Sequence, residues 1–256
     1  MNDSRLTDAQ VIEFFHLAFL QVLQARLDQS RYVLKGGASL RYFFGSLRYS
    51  EDIDLDAVEI EPWKLEAKVD ETLTSPAIEI LLRSGGLALD QVAKPKQTAT
   101  TQRWKPMLTV AGRRSLVRTK IEFSHRSADP RRILEAVPEH VVAPYALRPP
   151  MMLHYTADAA IEQKIAALAL RSETQARDLF DLELLLRRHP AAVTAGAIAP
   201  NTLDLAVDRA VELPFQAFED QVVRFLDAGI VELYDNPTAW GRMQAFVAER
   251  LAELRR

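Results

Sequence analysis

The chain has 256 residues, of which 48% are hydrophobic, and its 32 Lys and Arg against 35 Asp and Glu give a formal net charge of −3. This apolar share supports one large buried core or two smaller ones. The absence of cysteine excludes disulfides, thiolate catalysis and cysteine-based zinc sites, and fits a reducing compartment. Since no apolar run reaches membrane-spanning length and the opening MNDSRLTDAQ is polar, we expect a cytoplasmic protein with no membrane partner.

The first predicted element is a helix over residues 6–27. Thr7, followed three positions later by Gln10, is typical of a capping box near its start. Apolar residues recur at helical spacing and define one face, which should pack on a sheet: Val11, Phe14, Phe15, Ala18, Phe19, Val22 and Leu23.

A strand, a tight turn and a helix are predicted next, over residues 33–44. The apolar run that opens this segment ends at Gly36 and Gly37. Glycines at such a turn let a ligand approach the backbone, and the N–H groups at the start of a helix favour an anion, of which phosphate fits best. Lys35 and Ser39 add a cation and a hydroxyl for the same phosphate.

Two carboxylates follow on the strand predicted at residues 53–56 and its flank. Asp52 and Asp54 are two residues apart, so on a strand they point to the same side with Cα atoms about 6.6 Å apart. Oxygen ligands without cysteine suit Mg²⁺ or Mn²⁺, and two such ions can clamp an in-line phosphoryl displacement. The alternative for an isolated Asp-x-Asp pair is the solvated face of an edge strand. The glycine turn upstream favours the metal site.

Ser50 lies beside this strand and is a candidate regulatory residue. Phosphorylation there would place negative charge against Asp52 and inhibit metal binding.

Residues 62–123 are predicted to mix helix and strand, with a helix at 62–73 and strands at 77–82, 87–92, 107–110 and 116–123. In the last strand, alternation places Lys120 and Glu122 on one face and Ile121 on the other. This order of elements indicates a sheet core of the α/β or α+β class.

The stretch from Lys94 to Arg132 is strongly basic. It holds eleven Lys and Arg but two acids, Glu122 and Asp129, which gives a local net charge of +9. With Trp104 and His125 interleaved, it is suited to phosphate contacts and to stacking against RNA bases. Basic strand edges, or a surface that docks an acidic partner protein, are the alternatives. We favour RNA.

Beyond Pro149 and Pro150 the pattern becomes helical, and Ser172-x-x-Gln175 is typical of a capping box that starts a new helix. The predicted helices cover 157–171, 175–188, 203–211, 215–228 and 240–254. We therefore predict a core domain at 1–148 and a helical domain at 149–256 that closes the active-site cleft.

Four motifs occur in this order along the chain: KGGASL at 35–40, RYSEDIDL at 48–55, IEQKIAAL at 161–168 and RDLFDL at 177–182. Together they resemble the AbiEii/AbiGii toxin family of nucleotidyltransferases, a branch of the polymerase-β-like superfamily. The resemblance spans residues 33–187. One departure is Gln163, at a position before the lysine that is often acidic in the family, with Glu162 one place earlier.

The resemblance implies an α+β fold, in which a polymerase-β-like mixed sheet core is followed by a C-terminal helical bundle. It implies an NTP donor, Mg²⁺ or Mn²⁺, and an RNA acceptor, with the acceptor end of tRNA as the expected site, so that translation is blocked. It further implies a role in toxin–antitoxin and phage-defence pairs, with growth restored by a cognate antitoxin.

The resemblance also implies site residues. Asp178 is expected to orient Lys164, to assist a metal-bound water or to accept the proton of the attacking hydroxyl, with Asp181 as a second carboxylate on the same helix face. Glu122 is a candidate third metal ligand by position, although a surface pair with Lys120 is equally consistent with the pattern. The full sets are Asp52, Asp54, Lys164 and Asp178 for catalysis, and Lys35, Gly36, Gly37, Ser39, Arg48, Ser50 and Lys164 for nucleotide binding.

Other functions remain open from the sequence. A nucleotidyltransferase acting on a small molecule or on protein hydroxyls would keep the same motifs, and the basic stretch argues mildly against the small molecule. A non-catalytic nucleotide- or RNA-binding module would not depend on Asp52. An interaction protein would show no salt-sensitive RNA binding. The motifs do not identify which NTP is the donor.

Overall fold

The computed structural model of the protein describes residues 6–126 and 128–255; residues 1–5, 127 and 256 lie outside the described residues. The described chain forms two compact units.

The first unit contains a mixed sheet and takes in the described chain up to Gly45 and from Tyr49 to Tyr155. Its elements in chain order are α1 (Asp8–Leu23), β1 (Tyr32–Lys35), α2 (Gly36–Phe43), β2 (Asp52–Ala57), α3 (Pro62–Leu73), α4 (Pro76–Ser84), β3 (Leu87–Gln97), β4 (Thr101–Val110), β5 (Val117–Arg118), β6 (Lys120–Ser124), β7 (Arg132–Ala136), α5 (Glu139–Val142) and β8 (Met151–Tyr155).

Within the described residues the strands follow the order β3-β4-β6-β2-β1-β8-β7, and β5 pairs with β4. β2 is central: it runs parallel to β6 on one side and antiparallel to β1 on the other. Ile53 and Leu55 are fully buried on one face of β2, whereas Asp52 and Asp54 are half-buried on the opposite face. The predicted alternation on this strand is therefore present.

The helix α1 supplies much of the core of this unit. Thr7 and Gln10 form the predicted capping box at its start. Its apolar residues are buried in one cluster with residues of the sheet such as Leu55 and Phe123. This packing gives the sheet an apolar face and leaves the opposite face of β2 to charged side chains.

Helix α4 occupies the segment where a strand was predicted at 77–82. The Ser75 hydroxyl accepts a hydrogen bond from the Ile78 N–H, and a proline follows at the first helical position. Ile78 and Leu82, four residues apart, are buried, whereas Ile80 is 64% exposed. The strand prediction was wrong because this short apolar run has helical periodicity.

Strands β7 and β8 were not predicted from the sequence. β7 is an edge strand with both faces largely exposed, so it shows no alternation of apolar and polar residues. The prediction that the chain becomes helical directly after Pro150 was wrong, because β8 first pairs in parallel with β1. The compact units accordingly divide between Tyr155 and Thr156, rather than at 148/149.

The second unit is a helical bundle. It contains the segment Ser46–Arg48 and the described chain from Thr156 onward. Its helices are α6 (Ala157–Leu170), α7 (Ala176–Arg188), α8 (Pro200–Glu212), α9 (Phe215–Gln221), α10 (Ala228–Tyr234) and α11 (Pro237–Leu254).

Several helix boundaries in this unit differ from the predictions, and helix α10 was not predicted. Gln175 is the N-cap residue of α7 and makes no side-chain capping bond, so the predicted Ser172-x-x-Gln175 capping box is absent. The helix predicted over 215–228 ends at Gln221, and a short 3₁₀ turn, Val223–Phe225, follows it. Among the helices of the described chain, none has both the length and the apolar character to cross a bilayer.

Candidate active site

Four charged side chains form a row across the polar face of the first unit's sheet. Lys35, Asp54, Glu122 and Arg103 occupy paired positions on the neighbouring strands β1, β2, β6 and β4. Since paired positions project to the same face, two carboxylates lie between two cations in this row. We call Asp52, Asp54 and Glu122 the carboxylate cluster.

Lys120 lies within the carboxylate cluster. Its Nζ is 3.1 Å from Asp52 Oδ2, 3.8 Å from Asp54 Oδ1 and 3.6 Å from Glu122 Oε2. Arg103 adds a second cation, because its Nε and Nη2 each lie 2.6 Å from Glu122 Oε2. The carboxylates therefore converge on one positive charge, so Lys120 contacts Asp52 and Asp54 in addition to Glu122, the one partner that strand alternation predicts.

The electrostatics of the cluster follow from this crowding. Burial raises the pKa of Asp54, and the neighbouring carboxylates Asp52 and Glu122 raise it further against the opposing charge of Lys120. Burial alone would lower the pKa of Lys120, but the surrounding carboxylates outweigh it and raise that pKa. Burial alone would raise the pKa of Glu122, yet Lys120 and Arg103 lower it. Lys120 is thus held as a cation.

The predicted glycine turn lies against this cluster. Gly36 has φ of +69° and is the first residue of α2, directly after β1. A Cβ built on it would lie 3.0 Å from Asp54 Oδ2, so both the positive φ and the contact distance favour glycine. The N-cap residue Lys35 makes no side-chain capping bond to α2. The start of this helix therefore lies beside Asp54.

Lys35 is held by a carboxylate that the sequence analysis did not single out. Its ammonium donates to Asp56 Oδ1, and the Tyr155 hydroxyl donates to Asp56 Oδ2 at 2.6 Å. Asp56 is the third aspartate at two-residue spacing in DIDLD, and that repetition is the signal that could have identified it. Its contacts give it the role of anchoring Lys35 next to Gly36.

The two predicted serines have different surroundings. Ser50 is half-buried, and its hydroxyl donates to the backbone carbonyl of Asp52 at 2.8 Å. Ser39 is 4% exposed on α2, so its predicted contact with a nucleotide phosphate is not open at the surface.

An open cleft of about 610 Å³ adjoins Asp52 and Lys120 within the first unit. Four of its lining residues are basic, namely Arg103, Lys105, Arg118 and Lys120, and two, Glu51 and Asp52, are acidic. Lys105 and Arg118 are exposed. This arrangement favours binding of a polyanion next to the carboxylate cluster.

The basic stretch from Lys94 to Arg132 does not form a single surface. Lys94 pairs with Glu66 and Asp70 of α3, and Arg113 pairs with Asp8. Lys94 follows Ala93, which lines the cleft, and alternation along β3 sends the two side chains to opposite faces. Arg113 lies in the segment between β4 and β5 and is not among the residues that line the cleft.

The two aromatic residues of this stretch differ from the prediction. Trp104 is fully buried in the core and donates its indole N–H to Asp70 Oδ1 at 2.9 Å. The expectation that it stacks on RNA bases was therefore wrong. His125 is half-buried and is 2.7 Å from Gln102 Oε1, and burial lowers its pKa.

The second unit contains a separate ion network on α6 and α7. Lys164 Nζ donates to Asp178 Oδ1 at 2.9 Å and to Asp181 Oδ2 at 2.6 Å. Arg171 Nη1 lies 3.1 Å from Asp178 Oδ2, outside hydrogen-bond geometry. The predicted residues Lys164, Asp178 and Asp181 are thus brought together, and both aspartates orient the lysine.

Arg48 joins this network. Its Nε and Nη2 donate to the two oxygens of Asp181 at 2.9 and 2.6 Å, and its side chain is 5% exposed. Burial alone would raise the pKa of Asp181, but Arg48 and Lys164 lower it. Arg48, predicted to bind the nucleotide, therefore supports Asp181.

The carboxylate cluster has the donor chemistry of a site for Mg²⁺ or Mn²⁺. Asp52 and Asp54 offer oxygen ligands that already converge on a cation, the ammonium of Lys120. Glu122, the predicted third ligand, is engaged by Arg103. In the part of the chain that the structure describes, no group of three or more His, Cys, Asp and Glu is arranged to hold a metal ion. The pair Asp52 and Asp54 is the fitting donor set.

The chain is similar to known nucleotidyltransferases in sequence pattern and in fold. The family model for the nucleotidyl transferase AbiEii toxin of the type IV TA system matches residues 18–245. JHP933 from Helicobacter pylori has a similar structure, with a TM-score of 0.61 and 19% identity over 97% of this chain and 95% of that chain. A second H. pylori structure, of a protein assigned provisionally to the nucleotidyltransferases, has a TM-score of 0.58 and 18% identity over 99% of both chains. No curated protein matches the sequence.

Proposed function

Because this chain belongs to the AbiEii family of nucleotidyl transferase toxins, we propose that it transfers a nucleoside monophosphate from an NTP to RNA, with the acceptor end of tRNA as the acceptor. The transfer would block translation and so slow growth or restrict phage. Membership of a toxin–antitoxin family implies an antitoxin partner.

The observation that carries this proposal is the position of the carboxylate cluster between two features suited to phosphates. On one side lies Gly36 at the start of α2, next to Asp54. On the other side lies the basic cleft, which Asp52 and Lys120 help to line. A donor triphosphate bound beside Gly36 and an RNA strand bound in the basic cleft would both have their reacting groups next to the carboxylates.

The reaction transfers the α-phosphoryl group. An RNA hydroxyl loses its proton to solvent, and its oxygen forms a bond to the α-phosphorus while the bond from that phosphorus to the bridging oxygen breaks and pyrophosphate leaves. Mg²⁺ or Mn²⁺ held by Asp52 and Asp54 would supply Lewis-acid stabilisation of the charge that develops in this step.

The chain's own groups position the donor. The backbone N–H groups of Gly36 and Gly37 at the start of α2 favour an anion, and Lys35, anchored by Asp56, adds a positive charge beside them. Lys164, in the second unit, is proposed separately as a phosphate-binding cation, with Asp178 and Asp181 fixing the direction of its ammonium. Most of the catalysis would be positioning and charge stabilisation.

The experiment is to incubate the purified protein with total tRNA, Mg²⁺ and each labelled NTP in turn. We expect one or more NTPs to label RNA, and an Asp52→Ala variant to lower the rate by about 10²-fold or more, because it removes a group that stabilises the transition state. Asp90→Ala is the matched control, since Asp90 is an exposed aspartate on β3.

Two outcomes would contradict the proposal. Absence of label with every NTP would favour a protein or small-molecule acceptor, or a binding module. Label that persists in Asp52→Ala would remove the carboxylate cluster from the reaction. A cell-free translation assay with the labelled tRNA tests the physiological consequence, since modified acceptor ends should not support synthesis.

A further inference from the structure

Lys120 is the residue shared by the carboxylate cluster and the basic cleft. Its ammonium lies within 4 Å of all three carboxylates, at 3.1, 3.8 and 3.6 Å. The same side chain lines the cleft with Lys105 and Arg118 and is 23% exposed. It therefore borders both the carboxylate cluster and the basic cleft.

The ammonium occupies the place where the carboxylate oxygens converge. A divalent cation ligated by Asp52 and Asp54 would need those same oxygens, and two like charges cannot share them at a few ångströms without strong repulsion. Arg103 already engages Glu122, so the cluster retains a cation when Lys120 leaves. Release of Lys120 would free the pair Asp52 and Asp54 in particular.

We propose that Lys120 is an exchangeable counter-ion: in the metal-free protein it neutralises Asp52 and Asp54, and a divalent cation binds by displacing its ammonium toward the basic cleft. The inference deepens the proposed function. It rests on that function in one respect, namely that the carboxylate cluster binds a divalent cation. It adds a specific role for Lys120, as a competitor of the metal and then as a cation available to phosphates in the cleft.

The exchange has a thermodynamic consequence. Because the metal must displace an existing ion pair, its observed affinity is weaker than its intrinsic affinity for the freed carboxylates, and any anion that holds the displaced ammonium in the cleft should strengthen metal binding. By linkage, the metal should strengthen that anion's binding by the same factor. A lysine with a purely structural role would show neither effect.

The first test measures Mn²⁺ binding to the full chain by electron paramagnetic resonance of free Mn²⁺, without NTP or RNA. We expect Lys120→Met to bind Mn²⁺ at least about tenfold more tightly than the wild type, a change that corresponds to about 1.4 kcal/mol. Lys105→Met is the matched control, an exposed lysine of the same cleft whose loss should alter the affinity by less than about twofold because exposed charges are screened. Asp52→Asn in the Lys120→Met background should abolish the tight binding.

The second test uses the wild type, so it does not depend on the folding of a variant. Acetic anhydride labelling followed by mass spectrometry should show Lys120 becoming at least about threefold more reactive when Mn²⁺ is added, since the ion pairs that restrain it are lost. Lys105 should be unchanged.

The proposal is overturned if Lys120→Met binds Mn²⁺ no more tightly than the wild type, if neither protein binds Mn²⁺, or if Mn²⁺ leaves the reactivity of Lys120 unchanged. Because neither test contains NTP or RNA, a failure of nucleotidyl transfer is distinguishable from a failure of the exchange.

Discussion

At the scale of single residues, the site depends on the close approach of the α2 backbone to Asp54. Gly36 brings the start of α2 against Asp54, where a built Cβ would be 3.0 Å from Oδ2. Lys35 is then held beside the turn by Asp56, which Tyr155 also contacts. Lys35, Gly36 and the carboxylates consequently lie close together, on the neighbouring strands β1 and β2 and at the start of α2.

Ser50 provides a prediction at this scale. Its hydroxyl donates to the backbone carbonyl of Asp52, so a negative charge there would repel Asp52 and the rest of the cluster. We expect Ser50→Asp to lower the rate of nucleotidyl transfer at least about tenfold at fixed Mg²⁺. Initial rates over a Mg²⁺ titration provide the measurement.

Ser50→Ala is the control, because it removes one hydrogen bond without adding charge. It should retain most of the activity, with a loss of stability of about 1 kcal/mol. Equal activity of Ser50→Asp and Ser50→Ala would rule out regulation by charge at this residue.

At the scale of elements, the register between β2, β6 and β4 decides which charges meet. Asp52 pairs with Lys120 and Asp54 with Glu122, and the next strand places Arg103 opposite Glu122. The predicted α+β fold with a mixed sheet is confirmed, as is the predicted family. The central position of β2 explains why its apolar face is completely buried.

The basic cleft gives an element-scale prediction. We expect the double variant Lys105→Ala/Arg118→Ala to weaken binding of tRNA and to reduce the slope of log affinity against log salt by about 1.4, since each lost phosphate contact on a single strand contributes about 0.7. Fluorescence anisotropy at several salt concentrations measures both quantities.

A matched double variant tests whether position rather than total charge matters. Lys94→Ala/Arg113→Ala removes the same charge from cations that are paired with Asp70, Glu66 and Asp8. It should leave the salt slope nearly unchanged. An equal effect of the two double variants would mean that RNA responds to net charge and not to the cleft.

His16 links α1 to the segment between β5 and β6 and gives a prediction about pH. Burial lowers the pKa of His16 to about 3, while its Nε2 lies 2.7 Å from Thr119 Oγ1. Because the unfolded chain binds a proton near pH 6.5 and the folded chain does not, this residue's contribution to stability is complete above pH 6.5 and is lost as the pH falls toward 3.

The measurement is urea unfolding of the wild type and of His16→Gln at pH 7 and pH 5. The difference in free energy of unfolding between the two proteins should fall by about 2 kcal/mol over this interval. His140→Gln, at an exposed histidine, is the control and should follow the wild type. A pH-independent difference for His16→Gln would show that His16 is protonated equally in both states.

At the scale of the whole molecule, compact units do not coincide with continuous stretches of chain. Ser46–Arg48 belongs to the helical unit although the residues on both sides belong to the sheet unit. Arg48 is the anchor of this segment through its two hydrogen bonds to Asp181.

We therefore expect Arg48→Met to destabilise the protein by about 3–5 kcal/mol, because it leaves the buried charge of Asp181 with one cation fewer. Arg83→Ala is the control: Arg83 also pairs with a carboxylate, Glu79, but the two side chains are 73% and 65% exposed. That variant should lower the free energy of unfolding by less than about 1 kcal/mol. Denaturant unfolding compares them, and similar small losses in both would mean that Arg48 is not a structural anchor.

The sequence by itself determined the local features: the buried and polar faces of β2, the capping box at Thr7, the glycine turn at Gly36 and the helix that carries Lys164. These depend on spacing between near neighbours and on the backbone preferences of individual residues, both of which are visible in a short window.

The tertiary structure alone decided which distant residues meet. Lys120 among the carboxylates, Arg48 on Asp181, and Trp104 in the core rather than on the surface all follow from strand register and helix packing between segments far apart in the chain. The charge of a stretch of sequence does not specify which of its side chains share a face. Pairing across the sheet brings Lys120 and Arg103 to the carboxylates, whereas Lys105 and Arg118 are exposed in the cleft.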